Sequence, residues 1–435
     1  MIESVRPMVE SLRKGWCPGA LAPMLSGDGF IFRLRLTNGV LSFERARIFA
    51  ELAGRFGNGA FDLSARANLQ MRGVAVVKIE ALQEELRELG LLDDDARAEA
   101  VRNVVGSPLA GFDASALLDA RPLVVALESL LTREKALHDL PPKFGFAIDG
   151  GGALPLDVAT DIVFVAQAPD RLAVLLGGVV AGEVARENLG AAAEGLARNF
   201  LTLRGEDRRM AAVVKRLGVA PLIENIPVIA SGAKQSTCQL ASSGLRGSAH
   251  NDVAAHSKIL GAQPCGAGAF VGAGLLFGRL EAGALEALAQ EAEARGAIEL
   301  RLTPWRAILA VGLAPDAAQD LAARLAGLGF LIDARDSRLA FTACPGAPAC
   351  PSARGDTRAL ALALAPFWSA DGRRIHVSGC IKGCALHAPA LTFVAEQDGY
   401  ALVENGLARD EPSARGLDLA AMRNALISLS EGTRV

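Results

Sequence analysis

The residues that point most plainly to chemistry lie near the end of the chain. ACPGAPAC carries Cys344 and Cys350 with five residues between them, and GCIKGC carries Cys380 and Cys384 with three. Two such loops can enclose a cubane 4Fe–4S cluster, because each iron takes one thiolate sulfur and the backbone must bend sharply around the inorganic core. Gly346, Gly379 and Gly383 permit that bending and let backbone N–H groups come close to sulfur. A disulfide is a poor alternative, since three intervening residues make a tight ring and nothing points to an oxidising compartment. Zinc is the structural alternative, but its ligands are usually spaced by two to four residues, which puts the cluster ahead of it.

Such thiols need a scaffold, and the chain contains one motif twice. Gly29–Val74 and Gly268–Leu313 each read as an apolar strand, a turn, a helix of 3.6-residue period, a glycine stop and a second strand running into polar residues. In the second copy Leu285, Leu288, Ala289 and Ala292 share one helix face, as a helix covering a sheet requires. A longer α/β stretch follows each copy, over roughly 80–225 and 330–435. The expectation is a duplicated α+β unit whose halves face each other across a pseudo-symmetric cleft. Residues 229–257, rich in Ser, Gly and Ala with few large apolar residues, read as a flexible linker or insertion.

At 435 residues, with 51% hydrophobic residues and a net charge of −3, the chain can bury several cores and presents no basic field for nucleic acid. The N-terminal stretch has no apolar signal-peptide core, and runs such as LAVLLGGVVAG are too short to span a bilayer. A soluble cytoplasmic protein with no membrane partner is expected. In a reducing compartment the seven cysteines serve metal binding, catalysis or plain burial.

The pair ACPGAPAC and GCIKGC resembles the cluster motif of the sirohaem-dependent sulfite and nitrite reductases, a family that also has a duplicated half. Ser64–Gln70, SARANLQ, is similar to that family's T-x-R-x-x-x-Q strand. Arg102-Asn103-Val104 is similar to its R-N-V segment, Pro142-Lys143-Phe144 to its P-x-K-F-K stretch and Arg301-Leu302-Thr303 to its R-x-T strand. GWCPGALAPMLSGDG, NLQMRG and HVSGCIKGCALH look more like the oxygen-dependent branch of the family, the precorrin-3B synthases.

The resemblance implies two ferredoxin-like half-domains, at 1–78 and 258–328. It also implies two cofactor-binding α/β domains, at 79–228 for the tetrapyrrole and 329–435 for the 4Fe–4S cluster, around a central cleft. It implies that Arg66, Arg102 and Lys143 are catalytic, that Arg66, Gln70, Arg102, Lys143 and Arg301 bind substrate, and that Cys344, Cys350, Cys380 and Cys384 hold the cluster. The implied reaction is hydroxylation of precorrin-3A by O2 with lactone formation in aerobic cobalamin synthesis. Electrons would pass through the cluster from a separate reductase, with NADH as indirect donor. The alternative is a sirohaem-dependent sulfite or nitrite reductase. Where the reductases have their second lysine of the P-x-K-F-K stretch, this chain has Gly145, one cation fewer for holding a small oxyanion, with room for dioxygen expected in its place.

A tetrapyrrole with many carboxylates calls for guanidinium forks, which adds Arg72, Arg306 and Lys382 as candidates, though ordinary surface charge is the simpler reading for these three. Cys17 and Cys265 read as small buried hydrophobes. His376 and His387 are eligible ligands for the mononuclear non-haem iron associated with the oxygen-dependent branch, but hydrogen bonding near the cluster is preferred for both. His138 reads as a loop residue, and Cys238, His250 and His256 as solvated bystanders in the linker. No strand–GxGxxG–helix unit is present, so nothing suggests a nucleotide site on the chain itself.

Overall fold

A computed structural model of the protein describes residues 17–229, 258–368 and 373–431. The first unit is built from β1 (Met24–Ser26), β2 (Gly29–Leu34), β3 (Val40–Leu41), α1 (Phe43–Phe56), β4 (Ala60–Leu63), β5 (Leu69–Val74) and α2 (Ile79–Glu88). Helix α1 starts at Ser42, whose Oγ accepts from the Arg45 N–H at 3.2 Å, a side-chain cap for an otherwise orphan donor. It buries Phe43, Ala46, Phe49, Ala50, Ala53 and Phe56 on one stripe against the sheet. Leu82 and Leu86 of α2 pack into the same core, so this unit's packing continues past residue 78.

The α/β unit that follows comprises α3 (Ala96–Val101), β6 (Val104–Gly106), α4 (Arg121–Arg133), β7 (Phe146–Asp149), β8 (Ile162–Ala168), β9 (Arg171–Leu176), β10 (Val179–Ala185), α5 (Leu189–Leu203) and α6 (Met210–Leu217). The second half repeats the plan. Its ferredoxin-like part has β11 (Gly261–Cys265), β12 (Gly268–Gly274), β13 (Arg279–Glu281), α7 (Ala282–Ala294), β14 (Glu299–Leu302), β15 (Ala307–Leu313) and α8 (Pro315–Gly327). Its α/β part has β16 (Phe341–Ala343), α9 (Thr357–Leu364), β17 (Ile375–Ser378), β18 (Ala390–Glu396), β19 (Gly399–Gly406), β20 (Ala414–Leu417) and α10 (Leu419–Glu431).

The two ferredoxin-like units exchange strands. One sheet runs β1-β2-β5-β4-β13 and the other β11-β12-β15-β14-β3, so each borrows a short strand from the opposite half. The exchanged pairs are antiparallel, with Leu280 opposite Phe61 and Leu300 opposite Leu41. A single hydrophobic core therefore serves both halves, with Phe32, Phe61 and Met71 packed together with Val271, Leu300 and Ile308. The α/β units share a topology too: β6, β7 and β8 are parallel and β9 and β10 antiparallel, as are β16, β17 and β18 followed by β19 and β20. Among the described residues the duplication covers both the ferredoxin-like and the α/β units.

Strand alternation then decides what each sheet shows to its α/β neighbour. The second sheet turns Phe270, Ala307, Leu309 and Val311 toward Val105, Val163, Val165 and Leu175 of the first α/β unit, closing a dry interface. On the first sheet Arg33 lies opposite Gln70, and Gln70 opposite Asp62, forming a polar row across three strands. That row meets the cysteine-bearing unit, where Arg358 pairs with Asp62 at 2.8 Å and the Gly27 N–H donates to the Ala349 carbonyl at 3.0 Å. Of the expected linker, Ile229 is placed, bridged to Glu183. The rest of that segment, with Cys238, His250 and His256, lies outside the described residues. No helix among them is long and apolar enough to cross a membrane.

Candidate functional site

The two cysteine loops emerge from adjacent parallel strands. Cys344 follows β16 and Cys380 follows β17, whose Val377 lies opposite Ala343. The loops are tied to one another: the Gly379 N–H donates to Cys344 Sγ at 3.3 Å, the Arg354 N–H to the Gly379 carbonyl at 2.9 Å, and Lys382 Nζ to Ser352 Oγ at 2.9 Å. Gly346 adopts φ +70° and lies so close to Thr357 that a Cβ there would meet its Oγ1 at 2.7 Å. Thr357 Oγ1 in turn donates to the Cys344 carbonyl at 2.6 Å. Cys344 is buried, while Cys384 is solvent-exposed yet ringed by enough protein that desolvation, with Cys380 and Cys344 adding to it, pushes its thiol up to about 11. Cys380 is shifted upward for the same first reason. Among the described residues no three His, Cys, Asp or Glu side chains form a group that could hold a single metal ion.

A cationic pocket lies on the first half. Arg35, Arg66 and Arg102 line one cleft with Asn68, Asn103 and Glu128. Arg66 donates to the Lys143 carbonyl, which seats it against the P-x-K-F turn, and burial pulls its guanidinium down to about 10. Arg35 Nη1 donates to the Arg102 carbonyl at 2.6 Å and to Asn103 Oδ1 at 2.8 Å. Burial, then the neighbouring Arg33, lowers Arg35 to about 9. Arg33 is 6% exposed, and its Nε and Nη1, like Arg35 Nε, have no hydrogen-bond partner. Buried cations with open donors are costly unless an anion meets them. Arg33 and Arg35 escaped the sequence reading, although the signal was there: two arginines alternating within the apolar strand GFIFRLRL.

Other expected residues are placed differently. Arg102 is ion-paired, with Asp93 at 2.9 Å and Glu128 at 3.3 Å, and only its Nε lacks a partner. Desolvation opposes its charge, but Glu128 and Asp93 overcome that and hold its pKa above the ordinary value. Lys143 is exposed at the rim and Gln70 half-buried beside Arg33. Arg301 is not brought to this group. It is 1% exposed, paired with Glu299 at 2.5 Å, and donates to the Pro108 and Ala110 carbonyls at 3.5 and 3.3 Å, tying the second sheet to the first α/β unit.

Arg72 is buried and Arg306 half-buried, so neither is an ordinary surface charge. Arg72 pairs with Asp28 at 2.8 Å and reaches the Ala349 carbonyl at 3.4 Å, while Arg306 lies 3.5 Å from the Ala385 carbonyl, so both brace the cysteine loops. The room expected at Gly145 is filled: a Cβ there would sit 2.8 Å from Thr160 Oγ1. Cys17 is half-buried near Arg66. Cys265 is half-buried near the Phe112 carbonyl at 3.4 Å. The His138 ring is held by the Thr132 carbonyl at 3.1 Å, and His376 is buried under the Cys380–Cys384 loop.

Residues 22–89 and 262–328 match the Nitrite/Sulfite reductase ferredoxin-like half domain, and residues 97–231 match the Nitrite and sulphite reductase 4Fe-4S domain. A precorrin-3B synthase from Sinorhizobium sp is 32% identical over 446 residues, spanning 98% of this chain and 90% of that relative. The chain belongs to the precorrin-3B synthase branch of the nitrite/sulfite reductase-like family. Other members match over less of their length: a ferredoxin–nitrite reductase from Leptolyngbya laminosa is 33% identical over 176 residues, 38% of this chain and 34% of that enzyme. The structure of the Mycobacterium tuberculosis NirA protein superposes with a TM-score of 0.67 at 22% identity, covering 89% of this chain and 77% of NirA, which bears on the fold.

The family's name implies a 4Fe–4S cluster, yet the segment matched to that domain, 97–231, contains no cysteine. The four thiols sit in the second copy of the same strand order, 341–417, which explains the displacement. The residues there fit the group. Four thiols project from two interlocked loops, a backbone N–H already points at Cys344 sulfur, and a buried polar atom beside the loops, His376 Nε2, lacks a partner.

Proposed function

We propose that the chain hydroxylates precorrin-3A with O2, with lactone formation, in aerobic cobalamin biosynthesis, and that Cys344, Cys350, Cys380 and Cys384 hold a 4Fe–4S cluster beside the substrate cleft. The observation that carries the reading is the set of unpartnered guanidinium nitrogens on Arg33 and Arg35, buried next to Arg66. Three crowded cations, two of them with open donors, suit a ligand bearing several carboxylates. The full-length relative named precorrin-3B synthase supports the same choice.

In this reading Arg33, Arg35 and Arg66 take substrate carboxylates as charge-assisted forks. Arg102, neutralised by Asp93 and Glu128, holds Arg35 in place through its carbonyl. Gln70 and the rim cation Lys143 complete the polar wall, and Thr160 packs the space beside Gly145. When bound, the cluster supplies electrons one at a time. Incorporation of one oxygen atom from O2 takes two electrons and two protons, the second atom leaving as water. A separate reductase, with NADH as indirect donor, delivers the electrons.

The test supplies precorrin-3A, an electron donor and 18O2 to anaerobically purified protein and weighs the product. One 18O in the macrocycle supports the reading. Turnover of sulfite or nitrite by sirohaem-loaded protein, with no label in the macrocycle, overturns it in favour of the reductases.

A further inference from the structure

We infer that the His376 imidazole donates a hydrogen bond to the cysteine-bound iron–sulfur group and sets its reduction potential. The inference rests on the four-cysteine reading above. Within β17, Ile375 and Val377 point into the apolar core of the cysteine-bearing unit, so the alternating His376 and Ser378 point to the opposite face, under the Cys380–Cys384 loop. Ser378 Oγ is used there as a donor to the Cys380 carbonyl at 2.7 Å. His376 is flanked across the sheet by Thr342 and Thr392, and Thr392 Oγ1 is spent on the Ala390 and Gly406 carbonyls at 3.3 and 3.2 Å.

That leaves the imidazole. It is 1% exposed and its Nε2 has no partner. The adjoining Cε1 lies 3.6 Å from where a side chain at Gly383 would begin, and Gly383 stands between Cys380 and Cys384. Buried polar atoms are nearly always paired, so an orphan against a thiol loop points to an acceptor that the thiols themselves hold. Donors to cluster sulfur stabilise the more negative reduced form and raise the potential. Gly383 itself is held at φ +60°, with Ala408 Cβ 3.1 Å from where a side chain would begin.

The experiment is an EPR-monitored redox titration of the holoprotein, after iron and sulfide analysis. At the wild-type midpoint, where the reduced-to-oxidised ratio is one, His376→Leu should drop that ratio about tenfold, equivalent to ~59 mV for a one-electron couple. His376→Gln, which keeps an N–H donor, should stay within about threefold of wild type. Equal ratios in all three proteins with full cluster content overturn the inference and leave a histidine satisfied by water. Equal shifts in both variants overturn it in favour of packing.

If His376→Leu does not retain its cluster, the wild-type protein labelled with 15N-histidine decides: a histidine nitrogen coupling in pulsed EPR of the reduced cluster is expected, and its absence overturns the inference. Protein with full iron and sulfide whose potential ignores His376 fails this inference alone. Protein without a cluster fails the cysteine reading as well.

Discussion

Arg33 and Arg66 show how differently two site residues can be written in a sequence. Arg66 sits in a recognisable spacing with Gln70, whereas Arg33 is one charge in an apolar strand, and the burial that leaves it unpaired exists only once the sheet faces a second unit. That difference supports a prediction of opposite signs. Removing a buried guanidinium with two unpartnered nitrogens relieves desolvation, so Arg33→Met should leave the melting temperature of the ligand-free protein unchanged or higher. The same change deletes a charge-assisted contact worth about 1.5–3 kcal/mol, so tetrapyrrole binding should weaken roughly 10- to 100-fold in a titration. A lower melting temperature with unchanged binding would make Arg33 structural. The cysteines are the opposite case, since their spacing announces them. Cys344→Ser should abolish the iron–sulfur absorption and the reduced-state EPR signal, and a variant that kept full iron and sulfide would remove Cys344 from the ligand set.

At the scale of elements, the repeated strand–helix–strand pattern made both ferredoxin-like units legible, because hydrophobic period and glycine stops are local properties. The exchange of β3 and β13 was not, since strands of two and three residues carry almost no periodic signal and their partners lie more than 200 positions away. The tie between the cysteine loops was equally hidden. It depends on Gly379, where a Cβ would lie 2.6 Å from Ala353 Cβ and 3.5 Å from Cys344 sulfur. Because Ala353 is short and backed by its own chain, it cannot swing aside as a long side chain could. Gly379→Ala should therefore separate the loops, with cluster content per chain falling to less than half while far-UV circular dichroism stays native. Full cluster occupancy in this variant would show that the loops tolerate the separation and that their spacing does not set the site.

The whole molecule carries two copies of one plan and uses them unequally. The turns that lead into β3 and β13 match residue for residue, with Asn38 at φ +58° and Phe277 at φ +56°, and the β4–β5 and β14–β15 turns match with Ala67 at +53° and Arg306 at +57°. Counting from those anchors, the second-half positions corresponding to Arg33, Arg35 and Arg66 are Gly272, Gly274 and Trp305. None of the three cations survives. Gly272 lies so close to the Ile259 carbonyl that a Cβ would sit 1.8 Å from it, Gly274 is covered by Leu331, and Trp305 is buried in the dry interface with the first α/β unit. The second face has been filled to hold the halves together, and the first has kept its buried arginines.

A polycarboxylated tetrapyrrole should therefore bind with a stoichiometry of one per chain, and Arg33→Met combined with Arg35→Met should remove that single event rather than unmask another. Trp305→Ala should behave as a core truncation, costing about 3–5 kcal/mol of stability and creating no second site. The measurement is an equilibrium titration of wild type and variants with a soluble polycarboxylated tetrapyrrole, alongside denaturant unfolding. Two equivalents bound per wild-type chain, or binding retained in the double arginine variant, would place the ligand on the second face and reverse the assignment of the two faces.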